Sequence, residues 1–266
     1  MFNTGNVRRD CEKIRMQSPL VINLTNIVAA NFTANALLSA GASPLMACEP
    51  QEMEDLVAAA EAVVINCGSV DALQARAMDC AASAAARLGK PWVLDPAGVG
   101  ASRFRSDTVR GLIKDYHPTV ISANASEISF LAGGKCRCHG VDSLSDSASA
   151  LDAAVSLSLE TGSVISLSGS IDFITDGREL VLIENGTPLM SRITAMGCAA
   201  AALTGAFLAV DRDRIQAAAG AMAVMGVSGE KAASPSKGPG SMAAAFLDAL
   251  AGTFDSESIR YEQRTI

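Results

Sequence analysis

The alternation of strands and helices in this chain is clearest in residues 62–95, AVVINCGSVDALQARAMDCAASAAARLGKPWVLD. The apolar run Ala62–Asn66 predicts a buried strand, because strands covered on both faces are almost continuously apolar. An Ala-rich helix is expected over Asp71–Leu88, and Gly89 marks its end. Trp92–Leu94 predicts the next strand, which ends at Asp95. A strand, a helix and a second strand in this order form a βαβ unit with parallel strands.

The same alternation continues on both sides of this unit. Further strands are predicted by short apolar runs at Pro19–Asn23, Ala42–Met46, Thr119–Ile121, Val164–Leu167, Ile171–Thr175 and Glu179–Ile183. Further helices are predicted by apolar periodicity at Ala30–Ala40, Pro50–Ala60, Ser126–Leu131 and Ser145–Glu160, and by three last segments that begin at Cys198, Arg214 and Gly240. Asp176-Gly177 predicts a hairpin turn between the last two strands. We therefore expect one α/β domain over residues 1–266, with a mostly parallel central sheet, helices on both faces, and frayed ends at about 1–12 and 256–266.

The composition excludes several function classes. The chain has 266 residues, of which 49% are hydrophobic and 4% aromatic, and its net charge is −7. This acidic balance, without a cluster of Lys and Arg, argues against nucleic acid or an anionic membrane as a partner. No apolar stretch reaches the roughly 18 residues that span a bilayer, and the beginning of the chain lacks the apolar core of a secretion signal. Scattered cysteines, odd in number, indicate thiols rather than a disulfide framework, so a cytoplasmic protein is expected.

Polar residues follow the predicted strands at their carboxyl ends. Because the carboxyl ends of parallel strands meet at one edge of a sheet, and ligands bind there, these residues are expected to converge although they lie far apart in the sequence. They are Asn23 with Asn26, Met46, Asn66, Asp95, Asn124 with Glu127, Ser168 with Gly169, and the turn before Cys198.

One of these positions combines a helix start with an ionisable group. Ile193-Thr-Ala-Met-Gly-Cys198 runs directly into an Ala-rich segment that continues to Phe207. The unpaired N–H groups at such a start attract anions such as phosphate. The same position favours a thiolate, so the pKa of Cys198 is expected below the free-thiol value of about 8.5. The alternative is that Cys198 only packs, since free cysteines are often buried as small apolar residues.

Two further segments carry carboxylates at strand ends. Asn124-Ala-Ser-Glu127 fits either a capping box at a helix start or an oxygen pair that binds hydrated Mg²⁺ beside nucleotide phosphates. Asp95-Pro-Ala-Gly-Val-Gly100 is either a turn stiffened by proline or a carboxylate followed by glycines that permit close backbone approach. Cys136-Arg-Cys138-His139 suggests a metal site, but its ligands are too close together and no second cysteine pair follows at the spacing of a zinc finger.

Taken together, these segments resemble the hydroxyethylthiazole kinases of the ribokinase-like superfamily. The resemblance rests on Ser18–Val21 with Thr25-Asn26, Phe32–Asn35, Gly41–Met46, Asp95-Pro96 with Val99–Ala101, Asn124–Glu127, Gly140–Ser143, Thr175–Gly177, Met196–Cys198, and Gly238–Ser241 with Phe246–Leu250. It implies transfer of a phosphoryl group from ATP, with Mg²⁺, to the primary alcohol of hydroxyethylthiazole, in thiamine biosynthesis or salvage. It also implies a homotrimer whose thiazole pocket lies at the subunit boundary.

The resemblance implies a role for each candidate site residue. Cys198 stands at the position where most of the superfamily has an Asp base. The implied substrate contacts are Asn26, Met46, Ala195 and Gly197; the implied metal and phosphate contacts are Asp95 and Glu127; and the implied nucleotide contacts are Ser122, Asn124, Ser168 and Gly169.

Two segments depart from the family pattern. The family usually has Arg-Gly-Asn-Ala-Ser-Glu where this chain has Ser122-Ala-Asn-Ala-Ser-Glu127, so the arginine that meets the phosphates is missing. Ala195 adds a Cβ where the family has glycine, which matters if the backbone there requires a positive φ. Arg103 and Arg105 are candidates to replace the lost charge. Two alternatives to a thiazole kinase stay open: a related kinase of another vitamin-type alcohol, and a protein that binds its ligands without turnover.

Overall fold

The computed structural model describes residues 1–134 and 144–266, apart from the side chains of residues 144–149. Cys136-Arg-Cys138-His139 and Gly140–Ser143 therefore lie outside the described residues. The helices are α1 (Thr4–Gln17), α2 (Ala30–Ala40), α3 (Met53–Ala59), α4 (Ala72–Leu88), α5 (Arg103–Tyr116), α6 (Ala125–Leu131), α7 (Leu144–Thr161), α8 (Met196–Val210), α9 (Arg214–Ala233) and α10 (Pro239–Ala251). The strands are β1 (Leu20–Leu24), β2 (Ser43–Met46), β3 (Ala62–Asn66), β4 (Trp92–Asp95), β5 (Val120–Asn124), β6 (Val164–Ser168), β7 (Asp172–Thr175), β8 (Glu179–Ile183) and β9 (Tyr261–Thr265).

In the described part of the chain, nine strands form one sheet in the order β2-β1-β3-β4-β5-β6-β7-β8-β9. The strands from β2 to β6 in this order are parallel, whereas β7, β8 and β9 are antiparallel to their neighbours. The expected hairpin joins β7 to β8: the Asp176 side chain accepts two backbone N–H groups, and Gly177 has a φ of +85°, which glycine adopts without strain. The predicted α/β fold with a mostly parallel sheet is confirmed.

The core divides between the two faces of the sheet, because successive residues of a strand point in opposite directions. Val64 and Val93 pack with α1, α2, α8, α9 and α10 on one face. Ile65 and Leu94 pack with α3 to α7 on the other face. Helices thus cover both faces, as the sequence predicts. Within residues 1–134 and 144–266, none of the helices is both long and apolar enough to cross a bilayer.

Small side chains allow α8 to lie close to the sheet. The residues from Ala199 to Ala202 are buried in the core. A Cβ at Gly205 would lie 2.7 Å from Val64 Cγ2 and 3.3 Å from Val21 Cγ1, so a larger residue would push the helix outwards. Because Cys198 lies in the first turn of α8, this close packing places its thiol over the edge of the sheet.

The two ends of the chain differ from the expectation. The prediction of frayed ends at 1–12 and 256–266 is wrong, because α1 buries Val7 and Ile14 in the core and β9 pairs with β8 along its whole length. The rings of Phe2 and Tyr261 also pack edge to face, with their centroids 5.1 Å apart. Partners distant in sequence hold both ends, and a local pattern of polar residues does not reveal such partners. The local pattern likewise does not predict α5.

Candidate active site

The carboxyl ends of the parallel strands bring the predicted site residues to one edge of the sheet. Asn66 ends β3 and Asp95 ends β4, and the two residues are partners in the strand register. Asn124 at the end of β5 is paired in the same way with Ser168 at the end of β6. The first turn of α8 lies over this edge, where the Cys198 thiol contacts Asn66. The convergence predicted from the strand ends is therefore present in the structure.

A network of side-chain hydrogen bonds joins four of these residues. Asn26 Nδ2 donates to Asn66 Oδ1 at 2.9 Å and to Cys198 Sγ at 3.6 Å. Asn66 Nδ2 donates to Cys198 Sγ at 3.1 Å and also to Asp95 Oδ2. The Asp95 carboxylate lies close enough to the Cys198 thiol for each group to influence the pKa of the other. Residues from β3, β4, α8 and the loop after β1 thus form one connected polar cluster.

The ionisation of Cys198 differs from the sequence-based expectation. Burial raises the pKa of the Cys198 thiol to about 12, and the nearby charge of Asp95 contributes to the same effect. The expected pKa below the free-thiol value is therefore wrong. The N-terminus of a helix carries only about half an elementary charge, and desolvation of the thiol, together with the nearby carboxylate, outweighs it. The group at this position is a neutral thiol that lies beside Asp95 and accepts from two amides.

Asp95 and Glu127 form a pair of carboxylates beside the Asp95–Gly100 loop. Burial and the charge of Glu127 raise the pKa of Asp95 to about 7, and burial also raises the pKa of Glu127. Glu127 accepts from Gly98 N at 2.9 Å and from Asn124 N at 3.0 Å. The Asn124–Glu127 segment is thus a complete capping box at the start of α6. The capping role leaves further lone pairs on both carboxylate oxygens of Glu127, since each oxygen can accept two hydrogen bonds.

The turn that begins α8 offers free backbone donors and open space. The first hydrogen bond of the helix runs from Ala199 N to Ala195 O at 2.8 Å, so the N–H groups of the three residues between them have no partner within the helix. A Cβ added at Gly197 would meet nothing within 4 Å. Ala195 has φ 70° and ψ 6°, a left-handed conformation that favours glycine. The alanine that departs from the family pattern therefore occupies the backbone conformation in which a Cβ is strained.

The residues assigned to the nucleotide lie at the ends of β5 and β6. Ser122 is buried in β5, two residues before the strand ends at Asn124. Ser168 Oγ lies 3.4 Å from the carbonyl oxygen of Ala123, and Gly169 N donates to Asp172 Oδ1 at 2.9 Å. Burial raises the pKa of Asp172 to about 7. The four predicted nucleotide contacts thus lie at the part of the edge formed by β5 and β6, next to the part that carries Asp95 and Cys198. They are Ser122, Asn124, Ser168 and Gly169.

Arg105, and not Arg103, lies beside the carboxylate loop. Arg105 Nη1 donates to the carbonyl oxygens of Cys67 and Ala97, and its bond to Ala97 O measures 3.1 Å. Arg103 is 94% exposed and pairs with Asp107 on the outer surface of α5. Of the two arginines considered as replacements for the missing family arginine, the structure thus places Arg105 next to the Asp95–Gly100 loop.

The part of the edge next to Asn26 borders exposed apolar side chains. Met46 ends the edge strand β2 opposite Asn23. Ile27 and Val28, in the turn that follows Asn26, are 85% and 64% exposed. Large aliphatic side chains that are this exposed beside a buried polar cluster are typical of a surface that another molecule covers.

The predicted set of site residues omits Asn66, which has the most contacts of the polar cluster. Its position after the strand Ala62–Asn66 places it among the converging residues, and this is the only signal that the sequence carries for it. An asparagine at a strand end has many ordinary uses, such as a turn or a cap. Only the neighbours that the fold supplies distinguish it.

The fold is of the ribokinase-like class. A pyridoxal kinase from Staphylococcus aureus, solved with AMP-PCP and pyridoxal, has the same fold: the TM-score is 0.64 at 16% identity, over 93% of this chain and 99% of that one. The model of the Hydroxyethylthiazole kinase family matches residues 11–255. The chain belongs to that family, and it is a phosphotransferase that acts on an alcohol group.

Individual members of the family are similar to this chain along nearly its whole length. The hydroxyethylthiazole kinase of Leptospira biflexa is 46% identical over 245 residues, which cover 92% of each chain. The solved structure of the hydroxyethylthiazole kinase protein of Pyrococcus horikoshii OT3 matches with a TM-score of 0.89 at 35% identity, over 98% of this chain and 99% of that chain.

Proposed function

We propose that this protein transfers the γ-phosphoryl group of ATP, with Mg²⁺, to the primary alcohol of hydroxyethylthiazole. The observation that carries the proposal is the position of the Cys198–Asp95–Asn26 cluster under the free N–H groups of α8. Such N–H groups stabilise the negative charge of a transferring phosphoryl group. The alcohol would lie between the cluster and the γ-phosphate.

The thiazole alcohol is bound at the junction of the β1–α2 turn and the α8 turn. Asn26 and Met46 contact the ring, and Ala195 and Gly197 contact the hydroxyethyl arm. Support comes from the open space beside Gly197 and from the amide of Asn26, which Ala29 N orients through Oδ1 at 2.9 Å. An oriented amide and an open backbone surface are suited to a small polar heterocycle.

The metal is bound on the side of Asp95 and Glu127. The donor set fits Mg²⁺, which takes carboxylate oxygens together with phosphate oxygens and water. Burial and the charge of Glu127 both raise the pKa of Asp95, and a divalent cation would stabilise the ionised form of this carboxylate. When bound, Mg²⁺ would neutralise charge on the phosphates. Glu127→Gln is expected to lower activity and to weaken its dependence on magnesium, while circular dichroism and the melting temperature stay close to those of the parent protein.

The nucleotide is bound along the ends of β5 and β6 by Ser122, Asn124, Ser168 and Gly169. Support comes from the register pair Asn124 and Ser168 at this edge and from the position of Ser122 beneath it. The strand next to β5 is β4, which ends at Asp95. The phosphates of the nucleotide would therefore extend towards Asp95 and Glu127. Arg105 supplies a positive charge beside the loop that carries Asp95.

Cys198 positions the alcohol and is not a strong base. A thiol whose pKa is raised to about 12 holds its proton at neutral pH. Phosphoryl transfer has a loose transition state in which the alcohol oxygen needs little deprotonation. The thiol, held by Asn26 and Asn66, therefore contributes geometry. This assignment predicts a moderate loss for Cys198→Ser, since a hydroxyl can make the same bonds.

The protein assembles as a homotrimer, with the thiazole pocket at the subunit boundary. Support comes from the exposed Ile27 and Val28 next to Asn26 and from the edge position of β2. Light scattering is expected to report three copies, and Ile27→Asp is expected to dissociate them and to raise the KM for the alcohol. A monomer with full activity would contradict the shared pocket. We also propose a cytoplasmic location, which suits an ATP-dependent enzyme whose five cysteines in the described residues are free thiols.

The decisive experiment is a phosphotransfer assay with purified protein. Mass spectrometry is expected to detect the monophosphate of hydroxyethylthiazole only when ATP and Mg²⁺ are both present. A panel of other small alcohols serves as the control for specificity. Rapid turnover of another alcohol, without a thiazole product, would overturn the substrate assignment, and binding without any turnover would overturn the enzymatic function.

A further inference from the structure

We propose that Asn66 is a positioning residue, whose side-chain amide holds the Cys198 thiol and the Asp95 carboxylate in one arrangement for phosphoryl transfer. The inference rests on the kinase function proposed above. Asn66 is 2% exposed and ends β3. Its position at the strand end faces both the neighbouring strand and the first turn of α8. No contact with substrate is required of it, because it acts through the two groups that it holds.

The orientation of the Asn66 amide follows from its neighbours. Gly68 N donates to Asn66 Oδ1 at 2.9 Å, and a backbone N–H can only donate. The atom that faces Gly68 is therefore the oxygen, and the NH₂ group faces Cys198 and Asp95. Asn26 Nδ2 donates to the same oxygen at 2.9 Å. Both acceptor positions and both donor hydrogens of the amide are thus in use.

The two acceptors that Asn66 joins come from different parts of the fold. Asp95 is the register partner of Asn66 on β4, whereas Cys198 belongs to α8. One NH₂ group donates to both Asp95 Oδ2 and Cys198 Sγ. The side-chain amide is planar, so the angle between its two N–H bonds is fixed. The distance between Asp95 Oδ2 and Cys198 Sγ is therefore set by one rigid group. A misplacement of reacting groups by 1 Å can lower a rate by about 10²-fold.

The space around Gly68 reinforces this arrangement. A Cβ at Gly68 would lie 2.6 Å from Asn26 Nδ2 and 2.9 Å from Asn66 Oδ1. The backbone of Gly68 is not in the left-handed region. Glycine is therefore needed here for space, so that the Gly68 N–H can reach the Asn66 oxygen while Asn26 approaches from the same side.

The test compares two substitutions of Asn66 that remove different bonds. Asn66→Asp keeps the shape and both acceptor bonds, to Gly68 N and Asn26 Nδ2, but loses both donor hydrogens. Asn66→Ala loses all four bonds and adds no charge. If the Nδ2 hydrogens of Asn66 position the reacting groups, kcat falls by roughly 10- to 100-fold in both variants. The KM for the thiazole alcohol then changes by about twofold or less. Loss in the alanine variant shows that repulsion from an added carboxylate is not the cause.

Gly68→Ala and Asn185→Ala complete the design. Gly68→Ala displaces the amides of both Asn66 and Asn26 without deleting either one. It keeps the proposal testable if Asn66→Ala does not fold, and a lower kcat is the result expected of it. Asn185 is a matched control, because it is a buried asparagine that donates to Glu230 and Ser258 and accepts from Arg260, and none of these residues belongs to the polar cluster. Asn185→Ala is expected to lower the melting temperature and to leave kcat and KM unchanged.

The possible outcomes separate this inference from the proposed function. A parent protein that does not phosphorylate the thiazole alcohol overturns the proposed function. An active parent with an equally active Asn66→Asp overturns the positioning role alone, because the acceptor bonds would then suffice. A raised KM with unchanged kcat also overturns it, since Asn66 would then only support substrate binding through Asn26. A wild-type kcat in Gly68→Ala would do the same.

Discussion

Replacement of Ala195 by glycine is expected to make the protein more stable, although it removes a side chain. Ala195 precedes α8 with φ 70° and ψ 6°. This left-handed conformation brings the Cβ of an L-residue close to the following carbonyl oxygen. Glycine has no Cβ and adopts the conformation without this cost. Ala195→Gly therefore removes a local strain at the point where the chain enters the helix that carries Cys198.

The expected gain in the free energy of unfolding is the difference between one stabilising and two destabilising contributions. Relief of the left-handed strain stabilises by about 1–2 kcal/mol. The greater freedom of glycine in the unfolded chain costs about 0.4–1 kcal/mol. Loss of a half-buried methyl group costs about 0.3 kcal/mol, which is less than half of the value for a fully buried methylene. The central values leave a net stabilisation of about 0.5 kcal/mol. For a chain of this size, that corresponds to a rise of about 1–2 °C in the melting temperature.

Thermal unfolding followed by circular dichroism measures this difference, and Ser18→Gly provides the control. Ser18 also has a positive φ, of 45°, but it ends α1 and precedes β1 at the opposite edge of the sheet. Both variants are expected to melt at a higher temperature than the parent. Only Ala195→Gly is expected to raise kcat/KM for the alcohol, because the methyl group of Ala195 borders the proposed substrate pocket. An unchanged or lower melting temperature for Ala195→Gly would refute the strain argument.

Three further predictions concern charges and protons at the same edge. Arg105→Ala is expected to raise the KM for ATP about five- to tenfold, roughly the effect of 1–1.4 kcal/mol, whereas Arg103→Ala, at an exposed position, should leave it unchanged. Burial raises the pKa of Asp172 to about 7. Between about pH 4 and 7, Asp172 therefore keeps its proton in the folded state but has lost it in the unfolded state. The free energy of unfolding falls as the pH rises through this range. Asp172→Asn keeps the bond from Gly169 N but has no proton to lose. It should reduce the fall in the free energy of unfolding by up to about 1.4 kcal/mol per pH unit, and it should raise the melting temperature at pH 8. Urea titrations and melting curves across this pH range measure both effects. Cys198→Ser is expected to lower kcat less than about tenfold; a loss of 10²-fold or more in steady-state kinetics would identify Cys198 as the general base.

The strands and most helices were accessible to sequence analysis, because their signals are local. The run Ala62–Asn66 is apolar throughout since both faces of β3 are covered, and this pattern alone predicts the observed strand. The same is true of Ala30–Ala40, which Gly41 ends with a φ of 97°. The termini escaped prediction because α1 and β9 depend on partners that are distant in the sequence.

The sequence by itself determined the class of fold, the edge of the sheet at which the site lies, and the family. Periodicity predicts strands and helices, and the carboxyl ends of parallel strands must share one edge. The tertiary structure alone decided how the residues at that edge ionise and what holds them. Burial beside Asp95 keeps Cys198 a neutral thiol where its place at a helix start predicts a thiolate. Asn66 becomes the centre of the cluster only because β4 and α8 bring Asp95 and Cys198 to its amide. Desolvation and hydrogen bonding depend on neighbours in space, and these are not encoded in any local stretch of the chain.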